Sequence, residues 1–239
     1  LLIIDQSTGA VTNVGTGIGF GRISAIDFHP VTGILYAAGA RAGDGSNVLL
    51  TIDKTSGVGT EIGATNIESP PFISGQRNVA GMSFRNADGA LFGFVEPSDQ
   101  VATLNISTGA AGLVGSNSVS GSGNGIAFNS GDTLYHANEF DLHTVNQATG
   151  DSMAVVSLDF ANAFFDAGFL APRVSGLDFR PGDEVLFASV INDDSDSFIA
   201  TIDLMTGDLA YLSGGATASK VDALAFMPMR ISEPGTLAI

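Results

Sequence analysis

Four basic residues, Arg22, Arg77, Arg173 and Lys220, each stand one or two positions ahead of a recurring apolar motif, and they make up four of the nine Lys and Arg in the chain. Cations gathered at one mouth raise the local concentration of an anionic ligand. The competing reading is that each offsets an acidic loop beside it. Those loops carry Asp44, Glu96 and Asp99, and one of them, "NDDSDS", carries Asp193, Asp194 and Asp196. Carboxylates mixed with Asn and Ser oxygens suit Ca2+, a hard cation with oxygen ligands. The spacing is not that of an EF-hand, so solvated acidic loops are the alternative.

The inventory for catalysis is short. His29, His136 and His143 come without a third nitrogen ligand or a metal motif. Asp27 and Asp178 occupy the same position of the recurring motif in two repeats, where the others have Ser83, Ala127 and Ala225. A carboxylate pair is the equipment of a glycosidase, which makes glycan processing the leading enzymatic alternative to a non-catalytic protein. The stretch 158–173 holds Phe160, Phe164, Phe165 and Phe169. At about 15 residues it and the stretch 64–78 exceed ordinary connections. Its rings would form either a lid over the fold or an exposed partner-binding patch.

The elements that position these residues are legible as repeats. "DQSTG" at 5–9 recurs as "DKTSG", "NISTG", "NQATG" and "DLMTG", each between two short apolar-alternating runs, which reads as a hairpin tip. "ISAIDF" at 23–28 recurs as "VAGMSF", "GNGIAF", "VSGLDF" and "VDALAF", followed in the first four by a turn and a third strand such as "ILYAA". Four strands in each unit of roughly 40–57 residues predict propeller blades. Labelled outward from the axis, "GLDF" is strand A, "LYA" strand B, and strands C and D flank the hairpin tip. The expected fold is an all-β, five-bladed propeller of four-stranded antiparallel blades over residues 1–228. One blade would be closed by strands from both termini. The small residue of strand A should fit the crowded axis and the Phe that ends it should fill the space between blades. In this arrangement the cations, the acidic loops and the two long connections share one face.

Composition removes several function classes. The 239 residues carry a net charge of -16, which repels nucleic-acid phosphates. There is no Cys, hence no disulfide, thiolate metal site or thiol nucleophile. No apolar run approaches the roughly 18 residues of a membrane span. A start at Leu1 rather than Met reads as a processed or trimmed product.

The repeats, in the form "LxxID..TG....G" and "GLDF.P..G.LY", resemble the propellers of bacterial exported proteins with a PEP-CTERM sorting tail. The segment "ISEPGTLAI" at 231–239 looks like the start of that tail, with Ser232 in place of its first Pro and without the apolar helix and basic cluster. The resemblance implies export by a Gram-negative bacterium, and the expected role is a non-catalytic binding or structural module at the cell surface or in extracellular matrix, with a protein or glycan partner. Residues 229–239 also admit another role. "GTLAI" matches the strand B pattern, and Thr236, Leu237, Ala238 and Ile239 could add a strand to this chain's own closing blade or to a neighbour, giving self-association.

Overall fold

Each hairpin tip is built by its first residue. Asp5 Oδ1 accepts the amides of Ser7 (2.9 Å) and Thr8 (2.8 Å) and the Thr8 hydroxyl (2.9 Å), while Gly9 N donates to Asp5 O at 2.8 Å. Asp53, Asn105, Asn146 and Asp203 repeat the two amide bonds. The closing glycine of every tip has φ between 72° and 82°, left-handed backbone that a Cβ disfavours. At Gly109 a second constraint applies, because an added Cβ would lie 2.3 Å from Gly63 O in the adjacent blade.

The computed structural model describes residues 1–67, 77–116, 123–160, 172–192, 197–212 and 220–228. After a two-stranded sheet of β1 (Leu2–Ile4) and β2 (Val11–Asn13), four antiparallel four-stranded sheets follow in chain order. Blade 1 is β3 (Arg22–Phe28), β4 (Leu35–Ala40), β5 (Asn47–Ile52) and β6 (Gly59–Ala64). Blade 2 is β7 (Asn78–Phe84), β8 (Leu91–Glu96), β9 (Gln100–Leu104) and β10 (Ala111–Ser116). Blade 3 is β11 (Gly125–Phe128), β12 (Leu134–Ala137), β13 (Asp141–Val145) and β14 (Ser152–Ser157). Blade 4 is β15 (Arg173–Phe179), β16 (Leu186–Ile191), β17 (Ser197–Ile202) and β18 (Leu209–Tyr211). Register is common to all four: the Phe ending strand A faces the first Leu of strand B, and that Leu faces the residue before the tip, as in Phe28↔Leu35↔Ile52.

The core lies between blades. Each strand B carries an aromatic that packs on the strand A Phe of the following unit: Tyr36 on Phe84 (5.2 Å between centroids), Phe92 on Phe128 (5.3 Å), Tyr135 on Phe179 (5.3 Å) and Phe187 on Phe226 (5.0 Å). At the axis, a Cβ added to Gly81 would lie 2.0 Å from Asn124 O of the next blade, so strand A must be small there, as its sequence predicts. On the tip face, Arg85 bridges Asp88 and donates to Gln147 Oε1 of the next blade, and Arg180 does the same with Asp183 and Gln6.

The expectation of five four-stranded blades is met by four. Among the described residues the fifth position holds β1, β2 and residues 220–228, which run beside β15 but pair as no strand. Its B strand was expected from 235–239, outside the described residues. Gly33 and Gly109 separate the two burdens of a turn glycine, since a Cβ at Gly33 (φ 64°) meets nothing within 4 Å. Gly33→Ala should cost about 1 kcal/mol and Gly109→Ala about 2–4 kcal/mol, read from thermal or denaturant unfolding followed by circular dichroism.

Candidate functional site

The axis is the first place where candidate residues meet. Asp27 Oδ1 accepts Phe28 N at 2.7 Å, and Oδ2 accepts Phe84 N of blade 2 at 2.6 Å. Ser83 Oγ accepts Phe128 N of blade 3 at 3.0 Å. Asp178 Oδ1 accepts Phe179 N at 2.8 Å, and Oδ2 accepts Phe226 N at 2.5 Å. Three side chains thus satisfy the amides of all five strand A Phe residues. Ala127 and Ala225 offer no acceptor, and the residue at the same position of the following unit is in each case an Asp, whose second oxygen supplies the missing bond. Asp27 and Asp178 are therefore crosslinks, each with both oxygens engaged by backbone.

Burial pushes the Asp27 carboxyl up to about 7, against the pull of the Phe84 and Phe28 amides and the Ser83 hydroxyl. Burial also raises Asp178 well above the carboxylate range, and the charge of Asp27 adds to the effect. The axis between strands A has almost no room: the void lined by Ala25, Gly81 and Gly176 measures about 10 Å³, at the lower limit for one water.

At the upper mouth, Arg22 and Arg173 both act on Glu96. Burial and then the charge of Asp99 raise the Glu96 pKa, while Arg22 and Arg173 draw it down. Sequence reasoning placed Glu96 among solvated loop acids and missed this role. Lys220 bridges Asp222 at 3.1 Å, and Arg77 is exposed, its carbonyl accepting the Asn47 amide at 3.1 Å.

Cross-strand register sets His136 opposite His143. His136 is stacked on Phe94 at 4.2 Å with Nδ1 3.0 Å from Gly125 O, and burial pushes its pKa down to about 3. Among the described residues no three His, Cys, Asp or Glu side chains converge as metal ligands. Phe160 is 6% exposed and packs in the core with Leu158 and Leu209. Phe164, Phe165 and Phe169, the calcium candidates Asp193, Asp194 and Asp196, and the tail residues Thr236, Leu237, Ala238 and Ile239 lie outside the described residues.

A cleft of 540 Å³ opens at the fifth position. Leu2 and Ile4 of β1, Phe28 and Leu35 of blade 1, and Phe187 and Ile199 of blade 4 line it, with Ala223 to Met227 opposite β1. Its wall is apolar because side chains that pack between units line it, among them Phe187, Ile199 and Phe226. Nothing in the composition or motifs pointed to it beyond the short closing unit.

No family model matches the sequence, and no curated protein sequence matches it. Solved structures do. A structural-genomics protein of unknown function from Bacteroides thetaiotaomicron aligns over 92% of this chain and 57% of its own, with a TM-score of 0.59 and 13% identity. A GH43 glycoside hydrolase engineered for endo-xylanase and exo-arabinofuranosidase activity aligns over 82% and 41%, with a TM-score of 0.55 and 11% identity. The chain spans about half the length of these two proteins, and at such identities the likeness is one of fold.

Raised carboxyls have a signature in stability. A group that gains basicity on folding holds its proton longer in the folded state, so stability falls as pH climbs from the ordinary carboxylate range of about 4 through about 7. His136, whose pKa is depressed, acts in the opposite sense below about 6.5, so the comparison must be with Asp27→Asn. The melting temperature of the parent relative to that of Asp27→Asn should be highest at about pH 4 and fall steadily until about pH 7, with little further change by about pH 8. A constant gap would mean that Asp27 does not titrate there.

Proposed function

We propose that this chain is an exported, non-catalytic binding or structural propeller of a bacterial cell surface or extracellular matrix. In this reading its five repeats form five blades and "SEPGTLAI" derives from a PEP-CTERM-type sorting tail. The observation that carries the non-catalytic reading is the use made of Asp27 and Asp178. A glycosidase needs one carboxyl free to protonate the leaving oxygen and a second facing the sugar or its water. Here both oxygens of each carboxyl already accept backbone amides, and the axis between them is filled. The net charge of -16 fits a soluble surface that stays apart from nucleic acid.

Binding would use the cleft for a protein segment or the upper mouth for a charged ligand, with a glycan as the alternative ligand. Among the described residues β1 pairs only with β2, which supports a second reading, a filament subunit joined by strand exchange through residues 236–239. No helix among the described residues is long and apolar enough to cross a membrane.

The reading is checked by incubating the protein with arabinoxylan and aryl glycosides and by fractionating cells that express it. No sugar release above buffer and recovery outside the cytoplasm are expected. Release abolished by Asp27→Asn in a variant that still folds would replace the proposal with a glycan-processing enzyme, and recovery confined to the cytosol would remove the export part.

A further inference from the structure

Every complete blade enters strand B in one way. A residue of positive φ, Gly33 (64°), Gly89 (70°), Asp132 (58°) or Glu184 (58°), stands two positions before a Leu, and an aromatic follows that Leu. The segment "GTLAI" has Gly235 two positions before Leu237, then Ala238 and Ile239. It keeps the turn residue and the apolar alternation and lacks only the aromatic. The structure carries the complementary gap. Phe28 is the one strand A Phe on which no aromatic ring packs among the described residues, and it lines the cleft.

We propose that the cleft is a strand-acceptor site and that its occupant is residues 235–239 of the same chain, inserted between β1 and residues 220–228. The proposal rests on the five-blade reading. The register of the other blades, in which Phe28 faces Leu35 and Leu35 faces Ile52, transfers without adjustment. Leu237 falls opposite Phe226 and Ile4, Ala238 opposite Ala225 and Ile3, and Ile239 opposite Leu224 and Leu2. Alternation then turns Leu237 and Ile239 toward Phe187 and Ile199 of blade 4. Ala238 faces Phe28, where the small side chain leaves space that Tyr or Phe fills elsewhere.

Two features favour this occupant over another molecule. Residues 227–236 separate the two halves of the pairing, a tether short enough to hold the segment at an effective concentration on the order of millimolar, far above that of a second copy at micromolar protein. The cleft also offers the extended backbone of β1, which among the described residues pairs only with β2, and strand addition uses such an edge.

The test uses the 239-residue chain, which has no native Cys. Ile3→Cys/Ala238→Cys, oxidised at micromolar concentration, should form an intramolecular disulfide seen as a monomer of altered gel mobility. Ala238→Phe should raise the melting temperature by about 2–4 °C by completing the aromatic series. Leu237→Asp should lower it, and the synthetic peptide EPGTLAI should restore part of the loss in that variant while leaving the parent unchanged. Disulfide-linked dimers in place of monomers would overturn the proposal in favour of exchange between copies. Absence of any disulfide, with Ala238→Phe neutral, would overturn it by separating the tail from the cleft. These readings are independent of glycan turnover and of cell fractionation, so failure here is distinct from failure of the functional proposal.

Discussion

Five amides at the end of the innermost strands must find acceptors in a place that water barely reaches, and much of the rest of the ring follows from how they do. The strand A Phe residues pack between blades, which carries their N–H groups into the interior, where an unpaired donor costs about 1–3 kcal/mol. Strand pairing within a blade leaves them over. Two Asp and one Ser serve all five, and three of those bonds cross from one unit to the next: Asp27 to Phe84, Ser83 to Phe128 and Asp178 to Phe226. The same bonds that satisfy the backbone hold neighbouring units at a fixed distance, at which the aromatic of each strand B meets the next Phe. Keeping the two carboxyls protonated over more of the pH range is the physical consequence of burying them together, since desolvation disfavours the charged form.

A ring of such units is only as closed as its last junction. On one side, the fifth unit is bound to blade 4 through the Phe226 amide, through Val221 N donating to Ser197 Oγ at 2.8 Å and through Ser175 Oγ donating to Asp222 O at 3.0 Å. On the other side the attachment is peripheral. Gly59 N donates to Ile18 O at 2.9 Å, and Lys54 Nζ approaches Met227 Sδ at 3.4 Å. Among the described residues no side-chain hydrogen bond at the axis crosses from the fifth unit to blade 1, where Ala225 packs on the core without an acceptor to offer. The 540 Å³ cleft opens at this junction.

The repeat architecture was legible because it rests on local chemistry. Asp5 and its four counterparts write the hairpin tips into five residues each, and Gly81 and Gly176 announce the crowded axis. The cross-strand meeting of His136 and His143 follows from strand spacing alone. What the sequence could not disclose depended on the neighbouring unit. Asp27 and Asp178 look like a catalytic pair until the amide of the next Phe is in place, although the order Asp, Ser, Ala, Asp, Ala carries the signal in retrospect: an Asp follows each Ala around the ring. Gln6 and Gln147 occupy variable turn positions, and only the packing of blades reveals that they receive Arg180 and Arg85. Phe160 lies in a stretch that sequence alone could assign to lid or patch, and its burial against Leu158 is a tertiary fact. The motif occurs five times, yet the described residues build only four four-stranded blades and the two-stranded sheet of β1 and β2.

Two junctions lack a crossing bond at the Phe position, and comparing them locates where the molecule can yield. Between blades 3 and 4, where Ala127 offers nothing, other groups compensate: Asn124 N donates to Val174 O at 3.0 Å, Asp159 N to Gly207 O at 3.0 Å and Ser130 N to Glu184 Oε2 at 3.1 Å, and Tyr135 packs on Phe179. Between the fifth unit and blade 1, where Ala225 offers no acceptor, the described residues supply no aromatic contact to Phe28, and the apolar wall lines the cleft. Local opening proceeds from regions with few buried contacts and unpaired backbone. Among the described residues this junction is the least clasped by hydrogen bonds, which marks it as the place where local opening is expected to begin. Among the described residues the other four junctions are clasped by hydrogen bonds and aromatic contacts, and this one is held by apolar packing and peripheral bonds.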